Sequence, residues 1–209
     1  MRTTPTHRWI GSAAAAAALV ALLAGAAAAQ SGTTSRVRGS IERLDGADLV
    51  VAVPGFPARR LSLPPTARVA AVARAELADI KPGTYVGTAA TPLPDGSQQA
   101  LEVLIFPEAL RGTGEGHRAW DLTPESTMTN ATVSESQARV DGRTMTLTYK
   151  DGEKRILVPA GVPVVTLIPA DRSDIKPGTR AVVTVATGGD GIAVVTSIVV
   201  GKDGVDPPM

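Results

Sequence analysis

Asp79-Ile80-Lys81-Pro82-Gly83-Thr84 returns unchanged as Asp174-Ile175-Lys176-Pro177-Gly178-Thr179, 95 residues later in a chain of 209. The likeness extends outward from this hexapeptide. At the same spacing Asp95-Gly96 falls on Asp190-Gly191, and Val103-Leu104 falls on Ile198-Val199. Towards the N-terminus the spacing becomes 96, with Leu44-Asp45-Gly46 on Val140-Asp141-Gly142. The missing residue falls in a hairpin, where Phe56-Pro57-Ala58-Arg59-Arg60 stands against the shorter Gly152-Glu153-Lys154-Arg155. Each copy is about 70 residues, within the size at which small domains fold alone. Two copies of that length predict two domains rather than a solenoid, which stacks three or more shorter units.

Residues 1–29 read as a secretory signal peptide. Arg2 and Arg8 form a positive start, Ala13 to Ala29 is apolar apart from Gly25, and Ala27-Ala28-Ala29 is a small-residue cleavage site before Gln30. The run is short and Ala-rich for a membrane span. The sequence contains no Cys, which excludes a lipoprotein anchor and any disulfide. The Ala and Pro content and the form of the leader point to a bacterial periplasmic protein. The whole chain has 21 Lys+Arg and 20 Asp+Glu, and the leader holds two Arg and no acid, so the exported part carries 19 against 20, a net charge of −1. Nothing here attracts a polyanion at long range, and nucleic acid is not expected as a partner.

Periodicity argues for strands. Met145, Leu147 and Tyr149 alternate with Thr144, Thr146 and Thr148, and Leu49, Val51 and Val53 play the same part in the first copy. Val37, Gly39 and Ile41 alternate just before. Ile156–Val158, Val164–Ile168 and Ala181–Val185 are apolar runs of strand length. Asp-Gly occurs six times, at Asp45, Asp95, Asp141, Asp151, Asp190 and Asp203. It supplies the positive φ of tight hairpins, and none of the six has calcium-loop spacing. Ala75–Ile80 and Ala170–Ile175 each fit one helical turn, stopped by Lys-Pro-Gly. Each copy thus reads strand, strand, long strand bent at Pro64-Pro65 in the first copy, helical turn, strand, strand. That is the order of an OB-fold, a small five-stranded Greek-key barrel. The expected fold is all-β: a tandem pair of OB-like barrels, 35–107 and 131–202, each with one short helical turn. Residues 108–130 join them, and 203–209 form a tail. The hexapeptide is read as the structural stop of the helical turn.

The D-I-K-P-G-T turn followed by a strand and a P-D-G hairpin resembles an uncharacterised bacterial domain family of OB-like barrels in exported proteins. Leu77–Thr84, Glu102-Val103-Leu104-Ile105-Phe106-Pro107 and Arg111–Leu122 are similar to alphaproteobacterial hypothetical proteins, across nearly the whole exported chain. The resemblance implies the fold and the compartment. Some similar proteins carry the label of metal transporter permease. A permease needs several apolar spans, and after residue 29 the sequence has none. A soluble accessory role in metal handling is what remains of that implication.

The segment between the copies holds the exported chain's one His and one Trp, His117 and Trp120. A passive linker has no use for a Trp. Arg111, Glu115, His117, Arg118, Trp120 and Asp121 are therefore the candidate binding or partner segment, with Trp120 expected to pack against a barrel. Glu115, His117 and Asp121 are the candidate metal ligands, a thin set beside what zinc or copper sites use. Gly112-Thr113-Gly114-Glu115-Gly116 lacks the phosphate-loop spacing and its Lys-Ser/Thr. No catalytic signature surrounds any Ser. Aromatics are few and no basic groove is signalled, against single-strand binding. The sequence predicts a non-enzymatic periplasmic binding or adaptor protein, with no cofactor, whose partner is a periplasmic protein or a small ligand. The alternative is the accessory role in metal handling.

Overall fold

The alternation read in the sequence becomes strand almost everywhere it was read. The computed structural model describes residues 33–188 and 192–207. The leader and cleavage point expected within residues 1–30, and the expected Asp190-Gly191 turn, lie outside the described residues. In the first copy β1 (Thr33–Asp45) and β2 (Asp48–Ala52) form a hairpin turning at Gly46, φ 59°. The long third strand is divided around Pro64-Pro65 into β3 (Arg59–Ser62) and β4 (Arg68–Arg74), since proline has no N–H to give a ladder. A 3-10 turn at Leu77–Asp79 precedes β5 (Tyr85–Pro92) and β6 (Gln98–Ile105). A 3-10 turn at Glu108–Leu110 and β7 (Gly116–Ala119) follow. The second copy repeats the order with β8 (Thr127–Arg139), β9 (Gly142–Tyr149), β10 (Gly152–Pro159), β11 (Val164–Pro169), a 3-10 turn at Arg172–Asp174, β12 (Arg180–Thr187) and β13 (Ala193–Val200).

The ladders cross between the copies. β1 pairs with β2 and with β12, β2 pairs with β3, β12 pairs with β13, and β13 runs parallel to β3 and β4. This ring, β1–β2–β3–β13–β12–β1, takes three strands from the first copy and two from the second. The other ring is its counterpart. β8 pairs with β9 and β5, β9 pairs with β10, β5 pairs with β6, and β6 runs parallel to β10 and β11. β4 pairs antiparallel with β11 and joins the rings into one 13-stranded sheet. The expectation that residues 35–107 and 131–202 each close on themselves is corrected here: each copy lends its last two strands to the other. The reason is that both copies satisfy the same local preferences, so either can complete either ring, as in domain swapping. The second copy also starts earlier than residue 131, because Thr127–Thr132 already pair with β5.

The cores follow the exchange. One cluster joins Val37, Ile41, Leu49, Val51 and Leu63 to Ile175, Val183, Ile198 and Val200. The other joins Ile80, Val86 and Val103 to Val133, Met145, Leu147, Ile156 and Val158. Burying such side chains contributes about 1.5–3 kcal/mol each, so each half-copy is stabilised by the other copy's strands.

The hexapeptide stands where each copy crosses to the other. Asp79 and Asp174 accept from the backbone N–H of Glu76 and Asp171, closing the 3-10 turns. Ile80 and Ile175 plug the cores, at 0% and 5% exposure. Gly83 and Gly178 take φ of 90° and 83°, a region glycine tolerates. Their N–H groups donate to Val133 and Ile41, each on the first strand of the opposite copy. Those two residues also show how the copies correspond. Ile41 lies opposite Val51, and Val133 opposite Leu147, so the second hairpin is four residues longer.

Candidate functional site: a cavity between the two cores

β6 carries the exception to its own pattern. Its sequence Ala100-Leu101-Glu102-Val103-Leu104-Ile105 is apolar but for one carboxylate. Alternation sends Val103 into the second core and turns Leu104 the other way, into a third small cluster with Val72 and Val165. A bulge between Ala89 and Ala90 skips Leu101 in the ladder. Glu102 shares Leu104's face and is 1% exposed. Neither carboxylate oxygen has a hydrogen-bond partner among the described residues. Burial pushes its pKa from the ordinary 4.5 up to about 8, against a smaller opposing pull from Arg38. The group is therefore mainly neutral at pH 7.

Glu102 lines a cavity of about 170 Å³. Val72, Val165 and Leu167 come to it from the joining strands β4 and β11, and Leu104 and Phe106 from β6 and its end. Val182, Thr184 and Val199 come from β12 and β13, and Met128 and Asn130 from β8. Arg36 from β1, with Arg118 and Trp120 from β7 and its end, add the charged and aromatic groups. Asn130 donates from Nδ2 to the Thr113 carbonyl at 3.0 Å. Its Oδ1 is unpartnered among the described residues. A Cβ at Gly87 would stand 2.8 Å from that oxygen, so the glycine makes room for the amide.

Arg36 stacks on Trp120 at 3.6 Å from the ring centre, and Arg118 lies at 5.4 Å. Asp121 joins this stack to β1. It accepts from Arg38 Nη2 at 2.8 Å and stands 3.5 Å from Arg36 Nη1. Burial pushes the Asp121 carboxyl up, but the Arg38 hydrogen bond and both guanidinium charges outweigh it and hold the group below its ordinary value. Burial lowers the pKa of Arg36, partly offset by Asp121, and lowers that of Arg118. Arg118 donates to the Gly114 carbonyl and has no carboxylate within ion-pair distance among the described residues. The Trp120 Nε1 is buried without a partner among the described residues.

The segment 108–130 thus divides. Arg118, Trp120 and Asp121 belong to the cavity or its stack. Arg111 instead grips Glu108 through two bonds of 2.6 and 2.7 Å and donates to the Gly83 carbonyl, bracing the hexapeptide turn. Glu115 accepts from the Lys150 backbone N–H. His117 has opposite parity to Arg118 on β7 and bonds Thr129 Oγ1 at 2.8 Å. Burial, with the charges of Lys154 and Arg118, lowers its pKa. Glu115, His117 and Asp121 are not brought together as ligands. No group of three or more His, Asp or Glu that could hold a metal stands among the described residues. Sequence reasoning passed over Glu102, Arg36, Arg38 and Asn130. A carboxylate inside an apolar strand run was the available signal.

Compared with protein-family models, with curated proteins and with solved structures, the chain matches none. Among the described residues no helix is long and apolar enough to cross a membrane.

Proposed function

We propose that this chain is a non-enzymatic periplasmic binding protein, built as two OB-like barrels that exchange their last two strands, and that a small ligand occupies the cavity between them. The barrel reading rests on the ladder order. Each ring runs first, second, third, fifth, fourth and back to first strand, with the third and fifth parallel, the order of an OB barrel. The periplasmic assignment rests on the leader in the sequence. One observation carries the binding reading: a buried Glu102 with both oxygens unpartnered faces an apolar cavity. Leaving a buried polar group unmade costs about 1–3 kcal/mol, and apolar pockets with a few convergent polar groups and a shifted pKa are where ligands bind. The test is ligand-observed NMR with small aromatic and aliphatic fragments. Fragments that bind the protein and are lost in Val165→Phe, which fills the cavity, support the reading. A fragment profile identical in both proteins rejects it.

A further inference from the structure

The charges around the cavity are unequal. Arg36 and Arg118 line it, with Glu102 as the acid among the lining residues. Arg38 acts on Glu102, and Asp121 is bonded to Arg38 and paired with Arg36. With Glu102 protonated, three guanidiniums face one ionised carboxylate. Among the described residues Arg118 is the member with no carboxylate partner, and the nearby Trp120 N–H has no acceptor. The rest of the wall is apolar, from Leu104, Met128, Val165 and Val199. In size, the cavity is close to the roughly 150 Å³ that accommodates one benzene ring.

Resting on the binding reading above, we propose that the ligand is a small monoanion with an apolar body, of the aromatic or branched-chain carboxylate class. Its charge lies against Arg118 and Arg36, and its body lies among the apolar side chains. A carboxylate there gives Arg118 the charged partner it lacks, and charge-assisted bonds of this kind are the strong ones. The protonated Glu102 presents no opposing charge. When Glu102 ionises, it becomes a second anion in the same cavity, so affinity falls as the pH rises past 8. The charged groups bearing on that change are Arg36 and Arg38 from β1, Arg118 from β7, and Asp121.

The probes are benzoate, neutral benzamide and cationic benzylamine, one ring size with three charges, measured by calorimetry or ligand-observed NMR. Benzoate is expected to bind tightest. Arg118→Gln, its melting checked by circular dichroism, should weaken benzoate by about tenfold and benzamide by much less. Moving from pH 6.5 to pH 9 should weaken benzoate in the wild type and not in Glu102→Gln. Benzamide equal to benzoate, or benzylamine the tightest, overturns the anion class while the binding reading stands. Failure of benzoate to bind also overturns the proposal. If the fragment profile is in addition unchanged by Val165→Phe, the binding reading falls with it.

Discussion

Replacing Glu102 with Gln isolates the cost of one buried acid. The folded protein holds this carboxyl at about 8, against an ordinary value of 4.5. Each unit of difference is worth about 1.4 kcal/mol. Between the two values the native state keeps a proton that the unfolded chain has released, so stability falls as the pH rises through this window. Stability is undiminished below 4.5, and the loss is complete above 8. The wild type should therefore lose about 3 kcal/mol to this group by pH 7 and about 5 kcal/mol by pH 9. Gln keeps the shape and the unpartnered polar atoms but has no proton to lose. Urea unfolding followed by circular dichroism at pH 5, 7 and 9 should give nearly equal stabilities at pH 5. At pH 7 and 9 Glu102→Gln should be the more stable, by a margin that widens with pH. Parallel profiles for the two proteins would refute the reasoning, because they would mean that Glu102 ionises in the fold without penalty.

Other consequences are open to measurement. A chain ending after Glu108 retains β5 and β6 but loses β8–β10, their ring partners, and deprives β1 of β12. It should pair with a second copy of itself by the same exchange and elute at twice its mass in light-scattering chromatography; a stable folded monomer would mean that each copy closes alone. Gly39→Ala places a Cβ 2.0 Å from the Ala52 carbonyl oxygen. It should cost 3 kcal/mol or more, roughly the upper end for overpacking, read as a lowered urea midpoint.

Much of the strand pattern was legible because it is local. Met145 and Leu147 alternate with threonines, Pro64-Pro65 interrupts a strand, and Asp-Gly marks turns; each acts over a few residues. The hexapeptide was legible as a stop for the same reason. Its partner was not. Gly83 finds Val133 and Gly178 finds Ile41, and nothing in either copy's sequence distinguishes its own first strand from the other's. The candidate segment was half legible: Trp120 and Asp121 stand out by type, but His117 drew notice for its rarity and turns away on the opposite parity. Glu102 stands out as a lone carboxylate in an apolar run, but the face it takes is set by the bulge at Leu101 beside it, which the sequence does not signal. Arg36 and Arg38 went unread because a charge alternating on a strand is ordinarily a solvated face.

The crossed ladders bear on how the molecule comes apart. A duplicated chain whose copies close separately has two melting units, and the weaker can open while the stronger holds. Here Ile80 leaves one core only if the turn that begins β5 lets go, and β5 and β6 leave only by stripping β8 and β10 of neighbours. The same holds for Ile175, β12 and β13 on the other side. Partial opening of either half therefore strips strands from the other, and limited proteolysis of this cysteine-free chain should proceed through opening of both halves together rather than through one half alone.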